Sequence, residues 1–143
     1  VTAIQPRRSE KQEEADCDAL VKSMLGTVRR YSQPRASKQT AGIADREYCL
    51  FDIVLRWEVK AEDGRLTAEQ HTLLCEDFKA GHVVGCGTVQ DLHHALVALR
   101  GDRTHGRNVA FRLVQLWAAR GLRRGRRKTV KSGAFKPYAR GAA

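Results

Sequence analysis

Apolar residues near the start of the chain recur at helical spacing: Cys17, Leu20 or Val21, Met24, Val28 and Tyr31 step by threes and fours. This is one face of an amphipathic helix. Ser9 and Gln12 have capping-box spacing ahead of it. Glu10, Glu13, Glu14, Asp16 and Asp18 lie toward its start, with Arg29 and Arg30 at its end, in accord with the helix dipole. The pattern predicts a helix from the Ser9 cap to about Arg30. From Tyr48 to Lys60 the period changes to two, with Cys49, Phe51, Ile53, Leu55, Trp57 and Val59 on one face and Asp52, Arg56, Glu58 and Lys60 mostly on the other. That predicts one long strand. Glu62-Asp63-Gly64 has hairpin-turn chemistry.

The segment Arg65–Glu76 fits two elements. It is the return strand of that hairpin, or a helix capped by Thr67 with Gln70 in capping-box position, burying Leu74, Cys75 and Phe78. The strand is favoured because a long strand needs a partner. His82–Cys86 reads as a short third strand. Thr88 caps a helix through Val89, Leu92, Leu96 and Leu99, closed by Gly101-Asp102. A second helix, apolar nearly all round and therefore buried, runs from about Asn108 to Arg120 and ends at Gly121. Residues 1–8 form a flexible N-terminus and Ser32–Arg46 an exposed loop, leaving a single domain over 9–121 and an Arg-rich tail over 122–143. The expected class is α+β: an N-terminal helix, a two- to three-stranded antiparallel sheet, two C-terminal helices and a basic flexible tail.

Charge sharpens this picture. The formal net charge of +10 is concentrated at one end: Arg103–Ala143 contains twelve of the 26 basic residues and none of the sixteen acidic ones. Such asymmetry speaks for a polyanionic partner. The four cysteines, Cys17, Cys49, Cys75 and Cys86, are widely spaced and accompany no secretory signal, so reduced thiols in a cytoplasmic or nuclear setting are expected. No apolar run reaches the roughly 18–20 residues that span a bilayer, and no membrane partner is expected.

Arginine offers forked donors that fit phosphate. The candidate nucleic-acid-binding residues are Arg120, Arg123, Arg124, Arg126, Arg127, Lys128, Lys131, Lys136 and Arg140, together with Arg29, Arg30, Arg35 and Lys38. Phe135 and Tyr138 are available to stack on unpaired bases. RNA, single- or double-stranded, is preferred over DNA because no recognition-helix or zinc-finger pattern is visible. His71, Cys75, His82 and Cys86 offer four ligands within sixteen residues, a candidate zinc set; otherwise no cofactor is expected. The carboxylates Asp45, Glu47, Asp52, Glu58, Glu62, Asp63, Glu69, Glu76 and Asp77 carry no acid–base motif and read as strand exteriors and turns. The element order is similar to that of a double-stranded-RNA-binding domain, but the helix start Thr88–His94 lacks that domain's lysines, and no family is assigned. The expectation is a non-enzymatic, largely sequence-independent RNA-binding protein, viral or part of a ribonucleoprotein, capable of dimerising. The alternative is a protein–protein adaptor whose tail is a nuclear-localisation signal.

Overall fold

In the computed structural model, residues 7–30 and 44–123 are described. Helix α1 spans Glu10–Ser23, and the Ser9 and Gln12 side chains each accept the other's amide in a capping box. It stops well short of Arg30. Leu25 takes a left-handed conformation (φ 65°), and the Leu25 and Gly26 amides donate back to the Lys22 and Val21 carbonyls at 3.0 and 2.9 Å. This is a Schellman closure with leucine in the position that glycine usually holds. Gly26, next in line, lies where a β-carbon would stand 2.6 Å from Val21 Cγ1. Val28, read as an apolar step of the helix, belongs to strand β1, Thr27–Arg30.

The expected long strand is a hairpin. Strand β2 (Arg46–Leu50) turns through Phe51 and Asp52, both at positive φ (55° and 57°), into β3 (Ile53–Val59). These are the torsions of a type I′ turn, which suits the twist of paired strands. A two-residue turn reverses the parity of the inward face. Tyr48 and Leu50 are buried in β2, whereas Ile53, Leu55, Trp57 and Val59 are buried in β3. The inward face predicted for β3 is therefore correct, and that predicted for β2 is reversed.

Arg65–Glu76 is not a return strand. Helix α2 spans Ala68–Lys79, opened by a Thr67–Gln70 capping box. A helical crossover brings the next strand back parallel, and β4 (Val83–Gly87) pairs with β3 in parallel. The sheet has four strands in the order β1-β2-β3-β4, antiparallel except for the last pair. The α+β class stands; the sheet is mixed and larger than expected.

Thr88 caps α3 (Val89–Gly101). Asp102 ends α3 and also opens α4 (Arg103–Ala119), its carboxylate accepting from the His105 amide at 2.9 Å. α4 thus begins five residues before the expected Asn108. It is buried on one face only, through Gly106, Ala110, Leu113, Val114 and Trp117, while Leu116 is 53% exposed.

The core has two parts. One joins α1, α3 and α4 to the odd-numbered face of β3, and the other packs Leu66, Leu74, Val84, Cys86, Val114 and Trp117 around α2 and α4. Helices α3 and α4 approach so closely that a β-carbon on Gly106 would fall against the Leu99 backbone. Gly106→Ala is therefore expected to destabilise the fold by about 1–3 kcal/mol in urea unfolding, against alanine's better helix propensity. An unchanged or higher midpoint would show that the two helices separate freely.

Candidate active site

Alternate residues of a strand share a face, so Glu58 and Lys60 project together at the C-terminal end of β3. That end is enclosed. On one side, β4 pairs Cys86 with Glu58, and the Lys60 amide donates to the Gly87 carbonyl at 3.0 Å. On the other, Arg46 pairs with Trp57, which sets Asp45, one residue before β2, at the next step opposite Glu58. Glu58 is only 2% exposed and Lys60 only 4%. Gln70, fixed by accepting the Thr67 amide at 2.9 Å, donates through Nε2 to Glu58 Oε2 at 3.0 Å. Lys60 Nζ stands 3.7 Å from the same oxygen.

Glu58 Oε1 is also buried and receives no hydrogen bond among the described residues. The Asp45 carboxylate lies within hydrogen-bond reach of Glu58. Two ionised carboxylates cannot satisfy each other, so this pair needs a proton or a cation between them. Burial, followed by the charge of Asp45, holds the Glu58 carboxyl well above the usual carboxylate range, with Lys60 opposing. From the first turns of α1, Glu10 and Glu14 join Asp45, and the three offer oxygens within 4.8 Å of one another. The Glu10 carboxyl is also raised, by burial and by Asp45 and Glu14, against the pull of Lys60 and Arg123. Glu10, Glu14 and Asp45 form an all-oxygen donor set, the kind that fits Mg²⁺ or Mn²⁺, with the Glu58 carboxyl against Asp45. The unpartnered Glu58 oxygen is consistent with that fit.

The described residues among those singled out from the sequence are not members of this carboxylate cluster. Arg29 and Arg30 are on β1, where Arg30 pairs with Asp18 at 2.9 Å. Arg120 lies over the Trp117 ring and donates to the Glu62 carbonyl at 2.8 Å. Arg123 is held by backbone bonds to Leu66 and Ala68. Arg35, Lys38, Arg124, Arg126, Arg127, Lys128, Lys131, Lys136 and Arg140 fall outside the described residues. Of the zinc candidates, His71 and Cys75 meet on α2 (Nε2 to Sγ 3.4 Å). Cys86 is buried with its thiol toward the Leu113 carbonyl, and His82 is exposed ahead of β4. Among the described residues these four do not form a cluster, and the one grouping of potential ligands is acidic.

Asp45, Glu58, Lys60, Glu10, Glu14 and Gln70 were not recognised as a site from the sequence. The available signal was Glu58-Val-Lys60 at the end of an alternating strand. Read as half of a hairpin, that strand has a solvated polar face; read as part of a βαβ crossover, it is covered on both faces.

No family model matches the chain, and no curated protein matches it. Among solved structures, the fold is similar to a VRR_NUC domain, with a TM-score of 0.52 and 18% identity, over 61% of this chain and 97% of that one. By its name that is a nuclease-type domain. The likeness overturns the expectation of a non-enzymatic RNA-binding protein, and with it the viral and ribonucleoprotein readings. The tail composition carried that expectation, and tail charge reports on a polyanion while saying nothing about catalysis in the folded body.

A carboxyl raised in the folded state contributes stability that is fully present below its unfolded value and is lost as pH rises through the folded one. Without divalent cations, the protein should therefore lose stability as pH climbs from the ordinary carboxylate range through the raised Glu58 value. Glu58→Gln should flatten that decline and be the more stable protein at alkaline pH. Urea melts in chelator across pH 5–9 test this; parallel profiles would contradict the assignment.

Proposed function

We propose that the chain is a cation-dependent phosphodiesterase acting on nucleic acid, a nuclease. The observation that carries this reading is the buried Glu58, with Asp45 within reach, one oxygen unpartnered and the other held by Gln70 and Lys60. Its likeness in fold to a VRR_NUC domain supports the same reading.

The net reaction adds water across a P–O ester bond and yields a phosphate monoester and a hydroxyl. Asp45, Glu58, Glu10 and Glu14 would hold a divalent cation, which when bound supplies Lewis-acid stabilisation of charge on phosphate oxygens. Gln70 fixes the Glu58 rotamer from the rigid first turn of α2. Lys60 Nζ, beside Glu58, would offer positive charge to a non-bridging phosphate oxygen that gains negative charge. Burial makes that charge count for more than it would in water. The substrate is phosphodiester-linked; DNA and RNA share this chemistry, and the Arg-rich composition suits both.

Purified full-length protein with Mg²⁺ or Mn²⁺ is expected to cleave single- or double-stranded DNA or RNA. Lys60→Ala and Asp45→Asn should each lower the rate by about 100-fold or more, with circular dichroism showing the fold retained. Failure to cleave any of the four substrates with either cation would overturn the proposal, as would full activity in folded Lys60→Ala.

A further inference from the structure

Glu10, Glu14 and Asp45 carry like charge, and crowding their oxygens together is unfavourable until a cation enters. Glu14 is half-buried on a helix, and left to itself its long side chain would turn toward water, where it keeps more rotamers. The fold holds it from the other side. Arg46 Nη2 stands 3.8 Å from Glu14 Oε2, and among the described residues Arg46 is the cation paired with that carboxylate.

The same guanidinium reaches in two further directions. Its Nη1 donates to the Asp45 carbonyl at 3.4 Å, and its Nε donates to Asp18 Oδ1 at 3.1 Å. It therefore touches two of the three cluster residues and is anchored on a residue outside the cluster. Asp18 is itself fixed: it is buried, accepts from the Tyr48 hydroxyl at 2.9 Å, and pairs through Oδ2 with Arg30 at 2.9 Å. The Arg46 side chain is only 11% exposed, so it cannot follow Glu14 outward.

Distances decide whether Arg46 competes with a cation for Glu14 or aims Glu14 toward one. A forked pair at about 2.7–2.9 Å would sequester the carboxylate. The Glu14 contact, at 3.8 Å, is an ion pair beyond hydrogen-bond range, whereas the Asp18 contact at 3.1 Å lies within it. Arg46 is thus bound to Asp18, and Glu14 is steered without being tied.

We propose that Arg46 is the positioning residue of the cation site: anchored on Asp18, it keeps Glu14 beside Glu10 and Asp45, so that their oxygens are grouped before a divalent cation enters. This rests on the cation site of the nuclease reading, and not on the substrate being nucleic acid. Lysine is no substitute, because a single ammonium lacks the planar fork that spans Asp18, the Asp45 carbonyl and Glu14 together.

The test titrates chelator-treated full-length protein with Mn²⁺, counting free ion by electron paramagnetic resonance, with circular dichroism as the check on folding. Arg46→Lys keeps the charge and should weaken Mn²⁺ binding about tenfold or more, as should Glu14→Gln. Both act through one carboxylate, so Arg46→Lys combined with Glu14→Gln should bind no more weakly than Glu14→Gln alone; independent effects would multiply. Arg46→Met with Asp18→Asn removes the buried pair as a whole, which leaves no unpaired charge and the same net charge. That pair should show the same loss and the same dependence on Glu14, and it serves where Arg46→Lys does not fold. Unchanged or tighter Mn²⁺ binding in the folded Arg46 variants would overturn the proposal, as would losses that multiply with Glu14→Gln. Absence of saturable binding by the unsubstituted protein would remove it together with the cation site. Coupled losses of affinity with no cleavage of any nucleic acid would uphold it and remove the nuclease reading; cleavage with unaltered affinity in the Arg46 variants would do the reverse.

Discussion

A carboxylate taken out of water at the end of a central strand constrains much of this molecule. Burying one costs several kcal/mol unless partners offset the loss, and around Glu58 two neighbours offset it while a third, Asp45, adds to it. Gln70 comes from the crossover helix, Lys60 from two residues further along the chain, and Asp45 from the adjacent strand's approach. Gln70 would be absent if β3 turned back as a simple hairpin into a third antiparallel strand. The parallel β3–β4 pair and the α2 crossover are what enclose the strand end and make its two charged residues a site.

The remaining carboxylates depend on where α1 is held. Glu13, itself buried, accepts from the Val89 amide at the start of α3 (2.9 Å) and from Arg8 Nε (2.7 Å). Further along, Asp18 accepts from Arg46 Nε and from the Tyr48 hydroxyl at 3.1 and 2.9 Å. These two ties, one to α3 and one to β2, fix both the rotation and the depth of α1. Glu10 and Glu14 consequently face Asp45, and Arg46, next to Asp45, is immobilised by the same network. The polar groups of α1 thus divide between those satisfied within the protein and those grouped with Asp45.

Local signals in the sequence were strong where short-range chemistry decides structure. The Ser9–Gln12 box, the Thr88 cap and the helix after it appear where the residues indicate, and the strand read at His82–Cys86 appears one residue later, at Val83–Gly87. Thr67–Gln70 was equally legible as a capping box but competed with a hairpin argument, and the cap was the better guide. Two features were illegible because ordinary residues occupy unusual torsions: Leu25 ends α1, and Phe51-Asp52 forms the turn, without the glycine or asparagine that usually mark such positions. The site was missed for a different reason. Its residues come from four stretches between Glu10 and Gln70, and only the pairing of β2 with β3 and the α2 crossover brings them together. The cationic tail, by contrast, was conspicuous in composition and silent about chemistry.

The central claim is that Asp45 and Glu58, with Glu10 and Glu14, form a divalent-cation site at the end of β3. Titration of the chelator-treated full-length protein with Mn²⁺, counting free ion by electron paramagnetic resonance, tests it directly. The account predicts saturable binding that is lost in both Asp45→Asn and Glu58→Gln while the circular dichroism spectrum is unchanged. Equal binding in wild type and in folded Glu58→Gln would contradict it.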